Sequence, residues 1–334
     1  MDELTKFYNR KTILVTGGVG SIGSEIVKTL LKHDPKVVRV LDINESGLFE
    51  LEHKLNSKKI RLFIGDVKDK DRLKRAVEGV DIVFHTAALK HVPLCEYNPF
   101  EAVKTNVIGT QNLIDVSLDE NIEKFITIST DKAVNPINVM GTTKLLAERI
   151  TIAANKHKGN KRTAFSVVRF GNVLNSRGSL IPLIKEQIKK GGPVTLTDPQ
   201  MTRFIMCISE AVSLVLKAGA LAIGGEIFIL KMPTIKIIDL IEVMIGVLSP
   251  KYGCSPEDIE IKIIGKRPGE KLFEELMTEE ELRYVQEIDD MYVVNTLKNE
   301  FCKDTRYKNS TTINFNSKEV TYLTKEEIRE YLKN

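Results

Sequence analysis

The glycine-rich run TGGVGSIG constrains the fold of this 334-residue chain more than any other feature. Its glycines Gly17, Gly20 and Gly23 follow the strand-like run TILVT and open an amphipathic run of helix length. Glycine permits the tight turn from strand to helix, and the free N–H groups at the start of the helix attract a phosphate. The run therefore predicts a β–α–β unit that binds the pyrophosphate of a dinucleotide, with Ser21 and Ile22 in the same turn.

An acidic residue closes the next predicted strand, VVRVLD, which ends at Asp42. A carboxylate in this position accepts hydrogen bonds from the adenosine ribose of a dinucleotide. Because it also repels a 2′-phosphate, we expect NAD as the cofactor, with NADP as the alternative. Asp66 ends the run RLFIGD in the same way and is expected near the adenine. A plain strand-end aspartate is the competing interpretation of Asp66.

Short β-branched runs alternate with amphipathic stretches from Thr12 to about residue 165. This alternation is typical of a parallel sheet covered by helices. Beyond that point the elements are shorter and richer in Gly and Pro. We therefore predict an α/β fold with a Rossmann-type, doubly wound parallel sheet in an NAD(P)-binding domain, residues 1–168. A smaller C-terminal α/β substrate-binding domain, residues 169–334, is expected to return some segments to the main sheet.

Charge and apolar content exclude several other classes of protein. The chain has 49 Lys and Arg against 45 Asp and Glu, and because the basic residues are scattered we expect no nucleic-acid partner. No run approaches the roughly 20 apolar residues of a membrane-spanning helix, and no signal-peptide core is present, so a cytoplasmic protein is expected. The cysteines lack metal-ligand spacing, and no metal is expected. They are Cys95, Cys207, Cys254 and Cys302.

The segment STDKAVNPINVMGTTK, residues 129–144, follows the strand-like run KFITI. Its residues Thr130, Asp131 and Lys132 offer a hydroxyl, a carboxylate and an amine at the end of a strand where ligands bind in open α/β sheets. A surface ion pair is the competing interpretation of Asp131 and Lys132. Lys144 closes the segment, and Met140 precedes it by four residues.

These motifs resemble the extended short-chain dehydrogenase/reductase superfamily, in which a Tyr-x-x-x-Lys pair supplies the acid/base. Met140 stands in the tyrosine position, and none of the eight tyrosines precedes a lysine by four residues. The Thr-Asp-Lys trio followed by A-x-x-P-x-N-x-M-G-x-x-K is similar to the UDP-N-acetylglucosamine 4,6-dehydratases of bacterial and archaeal glycan synthesis. Some members of that family also lack the tyrosine. The resemblance extends over residues 87–110, 169–183, 193–204 and 266–281, and it is to the short soluble form.

The resemblance implies a redox-neutral lyase that converts UDP-N-acetylglucosamine into a UDP-4-keto-6-deoxy sugar for a surface glycan or polysaccharide. Asp131 would protonate the departing 6-hydroxyl, Lys132 would take the C5 proton, and Lys144 would hold the nicotinamide ribose. Because Met140 has no proton to exchange, Asp131 is also expected to take the O4 proton. Burial should raise the pKa of Asp131 and lower that of Lys132, as both roles need.

The resemblance also implies a set of substrate-binding residues that face the sugar, its diphosphate or the uridine. They are Lys90, His91, Asn172, Arg203, Arg267 and Glu270. Arginine suits a diphosphate because its planar fork can bind phosphate through two hydrogen bonds. Exposed surface side chains and salt bridges to neighbouring glutamates are the competing interpretations. A homo-oligomer is expected, since extended members often pair through helices of the cofactor domain.

Two other functions stay open at this point. A UDP-N-acetylhexosamine 4-epimerase also begins by oxidising C4, but it needs no acid at O6 and no base at C5, which would leave Asp131 and Lys132 idle. A non-catalytic NAD-sensing protein would explain the missing tyrosine, but it predicts decay of the other polar residues, which are all present. The configuration at C5 and the exact hexosamine are left open.

Overall fold

A computed structural model describes residues 2–295, 308–309, 313 and 315–332. The strands are β1 (Thr12–Thr16), β2 (Val37–Asp42), β3 (Ile60–Ile64), β4 (Ile82–His85), β5 (Lys124–Thr130), β6 (Ala164–Phe170), β7 (Asn172–Val173), β8 (Val194–Leu196), β9 (Thr202–Met206), β10 (Glu226–Leu230), β11 (Thr234–Lys236), β12 (Ile261–Ile263), β13 (Val285–Ile288), β14 (Met291–Asn295) and β15 (Lys308–Asn309). The helices are α1 (Glu3–Tyr8), α2 (Ser21–Leu30), α3 (Glu45–Leu55), α4 (Lys70–Val77), α5 (Val92–Tyr97), α6 (Pro99–Ala102), α7 (Gly109–Asp119), α8 (Val139–His157), α9 (Leu180–Lys189), α10 (Ile208–Leu221), α11 (Ile237–Leu248) and α12 (Lys325–Tyr331).

The main sheet has the strand order β15-β13-β14-β10-β6-β5-β4-β1-β2-β3. Strands β3 through β10 in this order are parallel, and β14, β13 and β15 add an antiparallel edge. The order 3-2-1-4-5-6 is that of a Rossmann sheet, which binds ligands at the carboxyl ends of its strands where the order reverses. The predicted α/β, doubly wound fold is confirmed.

Helices cover both faces of the parallel sheet because successive strand residues point to opposite sides. In β1, Ile13 and Val15 pack into one core with α2 and α10, while Leu14 packs into a second core with α4 and α7. Every residue of β1, β4 and β6 is buried. These strands therefore form a rigid platform whose carboxyl ends carry the polar residues singled out in the sequence.

Residues beyond 168 form two parts of the structure, an extension of the main sheet and a separate apolar core. Strands β10, β13 and β14 extend the main sheet, and α10 packs against α2. Helices α9, α11 and α12 enclose a separate core around Ile184, Leu240 and Ile328. Two small sheets, β11-β9-β7 and β12-β8, lie in this half of the chain. Strand β7 follows β6 after one residue, so it begins at the carboxyl edge of the main sheet.

Candidate active site

The glycine-rich turn closes tightly between β1 and α2. Gly17 has a φ of +65°, and a Cβ on it would lie 2.7 Å from Cα of Ala87. A Cβ on Gly23 would lie 2.3 Å from the carbonyl oxygen of Gly17. The N-cap residue of α2 is Gly20, which has no side chain to bond the first N–H groups of the helix. These N–H groups can therefore bind a phosphate, while the absence of side chains on Gly17 and Gly23 lets the turn pack closely against neighbouring backbone.

Asp42 lies beside this turn at the end of β2. Its carboxylate accepts hydrogen bonds from the backbone N–H of Val19, at 3.1 Å, and of Asn44, at 3.0 Å. Each oxygen keeps a second lone pair, so the group can also accept from ribose hydroxyls. The turn and Asp42 together fit the adenosine half of a dinucleotide. Asp66 lies after β3 and forms an ion pair with Lys68 at 3.3 Å.

Lys144 lies on α8 and reaches back to the sheet. Its Nζ donates a hydrogen bond to the carbonyl oxygen of Ile128 in β5. Burial lowers the pKa of Lys144 to about 8, against the opposing effect of the Glu148 carboxylate. The amine is therefore held at the carboxyl end of β5, where a nicotinamide ribose would lie if a dinucleotide extended from the glycine-rich turn.

Asp131 and Lys132 form a short 3₁₀ turn directly after β5. Asp131 is fully buried, and its Oδ1 accepts hydrogen bonds from Thr130 Oγ1 and Lys132 Nζ, both at 2.9 Å. Its Oδ2 is buried and has no hydrogen-bond partner among the described residues. An unpaired buried carboxylate oxygen is costly unless a proton or a ligand meets it. The pair is thus no exposed surface ion pair.

Lys132 is held by carboxylates and an amide from three parts of the chain. Its Nζ lies 2.9 Å from Asp131 Oδ1, 3.2 Å from Asn172 Oδ1 and 3.4 Å from Glu274 Oε1. Burial alone would lower the pKa of Lys132, but the two carboxylates outweigh it and the pKa is raised. The sequence-based expectation of a lowered pKa is therefore wrong for the ligand-free protein, because Asp131, and to a smaller extent Glu274, stabilise the charged amine.

Glu274 was not singled out in the sequence, although it lies in the quoted segment 266–281. Its side chain is 2 % exposed, and its Oε1 lies 3.8 Å from Nε of Arg203. Its Oε2 is buried and has no hydrogen-bond partner in the described part of the chain. Burial raises the pKa of Glu274. The only sequence signal was its place four residues after Glu270, the glutamate that the resemblance indicated.

Hydrogen bonds tie the segment around Glu274 to the turn after β5. Asn138 donates from Nδ2 to the carbonyl oxygen of Gly269 at 2.8 Å, and Lys271 donates from Nζ to that of Val134 at 2.7 Å. These contacts join residues more than a hundred positions apart in the sequence. They explain why Glu274 reaches Lys132.

The two predicted arginines differ in their surroundings. Arg203 is 8 % exposed and donates hydrogen bonds to the carbonyl oxygens of Thr202, Lys271 and Leu272 at 2.7, 2.8 and 3.1 Å. In the ligand-free protein it holds the 271–274 segment and pairs with a glutamate, as the competing interpretation proposed. Arg267 is exposed, and its backbone N–H donates to Glu270 Oε2 at 3.2 Å.

A pocket of about 210 Å³ opens over the Asp131–Lys132 turn. Charged and amide side chains from the sheet edge and from the second half of the chain meet on its wall, together with apolar side chains of the substrate half. The polar lining includes Lys132, Asn138, Asn172, Arg203, Glu270, Lys271 and Glu274. Arg267 is absent from the lining residues of this pocket. A concave site on which polar groups converge is where a small molecule typically binds.

Lys90 and His91 lie at the mouth of the sheet and contact a segment that the sequence had left without a role. Lys90 Nζ donates to the carbonyl oxygen of Arg177 at 2.7 Å, and the His91 ring packs so close to Gly178 that a Cβ there would lie 2.5 Å from it. The backbone N–H of Arg177 donates to Ser21 Oγ at 2.9 Å. Arg177 therefore links Lys90 to the glycine-rich turn.

Met140 is 4 % exposed and packs in a small apolar cluster with Cys95 and Ala102. Its thioether carries no proton, so the tyrosine position supplies packing instead of acid/base chemistry. Cys95, Cys207 and Cys254 are free thiols, and Cys302 lies outside the described residues. Within the described ranges no group of three or more His, Cys, Asp or Glu side chains could hold a metal ion.

A Rossmann sheet with this glycine spacing, an acidic residue ending β2 and a lysine of α8 at the end of β5 defines the extended short-chain dehydrogenase/reductase superfamily. Within it, the sequence profile described as "Polysaccharide biosynthesis protein" matches residues 13–296. The chain belongs to this family.

Known relatives carry more than one activity in their names. The UDP-N-acetylglucosamine 4,6-dehydratase (inverting) of Campylobacter jejuni is 42% identical over 290 residues, covering 86% of this chain and 84% of the relative. The UDP-glucose 4-epimerase of Rickettsia rickettsii is 40% identical over 286 residues, covering 84% and 82%. The crystal structure of Pen from Bacillus thuringiensis superposes with a TM-score of 0.91 at 43% identity, covering 98% of both chains.

Another relative is named an uncharacterised membrane protein of Methanocaldococcus jannaschii. It is 71% identical over 331 residues, covering 99% of this chain and 98% of the relative. Across the residues described here, no helix combines the length and the apolar content needed to cross a membrane.

Proposed function

We propose that this protein is an NAD-dependent UDP-N-acetylglucosamine 4,6-dehydratase. The observation that carries the proposal is that Lys132 lines a polar pocket and its amine donates a hydrogen bond to Asp131, a buried carboxylate directly behind it. Asp131 Oδ2 has no hydrogen-bond partner among the described residues. A dehydratase needs an acid and a base on neighbouring sugar carbons, and this pair supplies both. The similarity to the Campylobacter jejuni dehydratase supports the same assignment.

The residues that would hold NAD are the 17–23 turn for the pyrophosphate, Asp42 for the adenosine ribose and Lys144 for the nicotinamide ribose. The chemistry that bound NAD supplies is acceptance of a hydride from C4 of the sugar and its return to C6. Asp42 favours NAD over NADP because its carboxylate would repel a 2′-phosphate. The Lys144 amine, in its charged form, would favour the acceptance of hydride by the oxidised ring.

The protons are moved by Asp131 and Lys132. The Asp131 carboxylate takes the O4 proton as the 4-ketone forms, and it becomes a carboxylic acid. Neutral Lys132 takes the C5 proton, which the ketone has acidified, and becomes an ammonium. Asp131 then passes its proton to the C6 hydroxyl, which leaves as water. Lys132 then returns a proton to C5, so Asp131 and Lys132 both end in their starting forms and the cycle needs no external acid or base.

The substrate would enter the pocket with its sugar over the Asp131–Lys132 turn. Asn172, Arg203 and Glu270 line the pocket and are available to its polar groups. Lys90 and His91, at the mouth of the sheet, are the proposed contacts to the sugar or diphosphate. Arg267 would meet the uridine end from the exposed rim of the site.

The active form is proposed to be a homo-oligomer in the cytoplasm. Three large apolar side chains on the short helices α5 and α6 support self-association, since Leu94, Tyr97 and Phe100 are 63%, 87% and 63% exposed. Size-exclusion chromatography with light scattering measures the assembly directly. A monomer at micromolar concentration would contradict this part of the proposal.

A 4-epimerase is the second candidate, favoured by the Rickettsia relative. Proton NMR of the purified protein with UDP-N-acetylglucosamine in heavy water separates the two. A dehydratase produces a new C6 methyl signal without H5 coupling, because C5 acquires deuterium from the exchanged Lys132 amine. An epimerase produces UDP-N-acetylgalactosamine and no methyl signal. Cofactor binding with no change in either sugar would favour a non-catalytic NAD-sensing protein.

Two variants test the proposed roles of Asp131 as the acid and Lys132 as the base. Asp131→Asn removes the acid and Lys132→Met removes the base, and each should lower kcat by about 10²–10⁴-fold, the range for lost acid–base catalysis. Asp119→Asn, on the exposed end of α7, is the matched control and should keep full activity. If either variant formed the C6-methyl product at the wild-type rate, the role proposed for that residue would be wrong.

A further inference from the structure

The second carboxylate beside Lys132 has no part in the proton cycle proposed above. Glu274 is buried, its Oε1 lies 3.4 Å from Lys132 Nζ, and its Oε2 has no hydrogen-bond partner among the described residues. A buried ionised carboxylate with one unpaired oxygen is costly, whereas its protonated form carries no charge to desolvate. Glu274 is therefore suited to hold a proton for part of a reaction cycle.

Charged groups from three elements face this carboxylate. Lys132 and Asp131 approach from the turn after β5, Arg203 from β9, and Lys271 from the segment of Glu274 itself. The two carboxylates balance Lys132 and Arg203, so the inner group of four is neutral overall. A proton can pass between Lys132 and Glu274 without changing that summed charge.

We propose that Glu274 shares a proton with Lys132 and thereby controls when the Lys132 amine is free to act as a base. This inference rests on the proposed dehydratase function for its catalytic meaning, while the pairing itself rests on the geometry alone. In the ligand-free site two carboxylates hold Lys132 as an ammonium, which cannot take the C5 proton. Transfer of a proton to Glu274 would make the amine neutral and able to act as the base.

The transfer involves one bond on each partner. An N–H bond of the Lys132 ammonium breaks and an O–H bond forms on Glu274 Oε1, so that the amine becomes neutral and the carboxylate becomes a carboxylic acid. No proton leaves the site, and no electron is transferred. Glu274 acts through Lys132 and does not touch the sugar in this scheme, so it is a positioning residue.

Direct titration of Lys132 tests the pairing without turnover. The rate at which acetic anhydride labels Lys132 is followed by peptide mass spectrometry from neutral to alkaline pH, since only the neutral amine reacts. In Glu274→Gln the midpoint should fall by about one pH unit or more, because an opposite charge within hydrogen-bonding range is lost. The exposed Glu279→Gln should match the wild type. An unchanged midpoint in Glu274→Gln would overturn the proposal.

A second variant tests the proposal if Glu274→Gln does not fold. Glu274→Asp keeps the charge but withdraws it from Lys132, so the midpoint should move in the same direction by a smaller amount. If Glu274→Asp retains the wild-type midpoint, the carboxylate does not control the amine and the proposal is wrong.

The pH profile of kcat links the pairing to catalysis. Because Lys132 must be neutral to act, the rate rises with pH through its titration, and Glu274→Gln should move this rising limb to lower pH. A variant that only disturbed the fold would lower kcat without moving the limb, and that result would overturn the catalytic part. If the wild type forms no methyl product, the dehydratase function fails, while the labelling midpoints still decide the pairing.

Discussion

Gly141 packs directly against the turn that carries Lys132. A Cβ on Gly141 would lie 2.2 Å from the carbonyl oxygen of Lys132, closer than any real contact allows. Gly141 lies in the first turn of α8, where its N–H donates to the capping side chain of Asn138 at 2.7 Å. The glycine thus allows α8 and the turn of Asp131 and Lys132 to pack in direct contact.

The first prediction follows from this contact. Gly141→Ala should lower kcat by about 10²-fold, because the backbone of the 131–133 turn must move and a displacement near 1 Å costs that much. The matched control is Gly246→Ala on α11, where nothing lies within 4 Å of the added Cβ. That variant should keep its activity and gain up to about 1 kcal/mol of stability from helix propensity. Wild-type kcat in Gly141→Ala would show that the turn tolerates the shift.

Met140 is predicted to serve packing and no proton transfer. Met140→Leu is nearly isosteric, so kcat should stay within about threefold of the wild type and stability should fall by less than about 1.5 kcal/mol. Met140→Ala leaves a cavity next to Cys95 and Ala102 and should cost about 2–5 kcal/mol. The rate of formation of the C6-methyl product measures kcat, and urea unfolding measures stability. Loss of catalysis in Met140→Leu with unchanged stability would mean that the thioether has a chemical role.

Asp42 is predicted to set the cofactor preference. Asp42→Asn removes the charge that repels a 2′-phosphate, so the ratio of NAD to NADP affinity should shift toward NADP by about tenfold, a change of 1.4 kcal/mol. Calorimetric titration with both cofactors measures the ratio. Asp66→Asn is the comparison, since Asp66 pairs with Lys68 at the end of the neighbouring strand. A preference that Asp42→Asn leaves unchanged would remove Asp42 from the ribose site.

His85 is predicted to make the fold acid-sensitive. It lies buried between Thr16 Oγ1 and Thr110 Oγ1, at 2.8 and 2.9 Å, and burial, together with the charge of Lys144, lowers its pKa from 6.5 to about 3. Between these values the unfolded chain binds a proton that the folded chain does not. The free energy of unfolding should therefore fall as pH drops from 6.5 toward 3, by up to about 1.4 kcal/mol per pH unit from this group.

The measurement compares unfolding free energies across this pH range in two variants. His85→Gln keeps a hydrogen-bonding side chain but cannot titrate, so its stability should fall less steeply with acid than that of the wild type. His157→Gln changes an exposed histidine at the end of α8 and should follow the wild-type slope. Parallel curves for all three proteins would show that His85 makes no contribution.

Local patterns in the sequence predict the cofactor half well. The strand before Gly17, the helix after it and the strand that ends at Asp42 all lie where the sequence predicts them, because the residues within each element and at its ends mark its type and bounds. The same holds for Thr130, which ends β5. Periodicity cannot predict which distant segment completes a site, so the contact of Arg177 with the glycine-rich turn came only from the structure.

By itself, the sequence determined a Rossmann sheet, a phosphate-binding turn and an acid–amine pair at the end of the fifth strand. Only the tertiary structure decided that a second carboxylate, Glu274, joins Asp131 beside that amine. Residues 132 and 274 meet through folding alone, and the electrostatic effect of a carboxylate depends on its distance in space and on the water excluded around it. Burial by itself would lower the pKa of Lys132, whereas Asp131 at 2.9 Å and Glu274 at 3.4 Å together raise it and keep the proton on the amine.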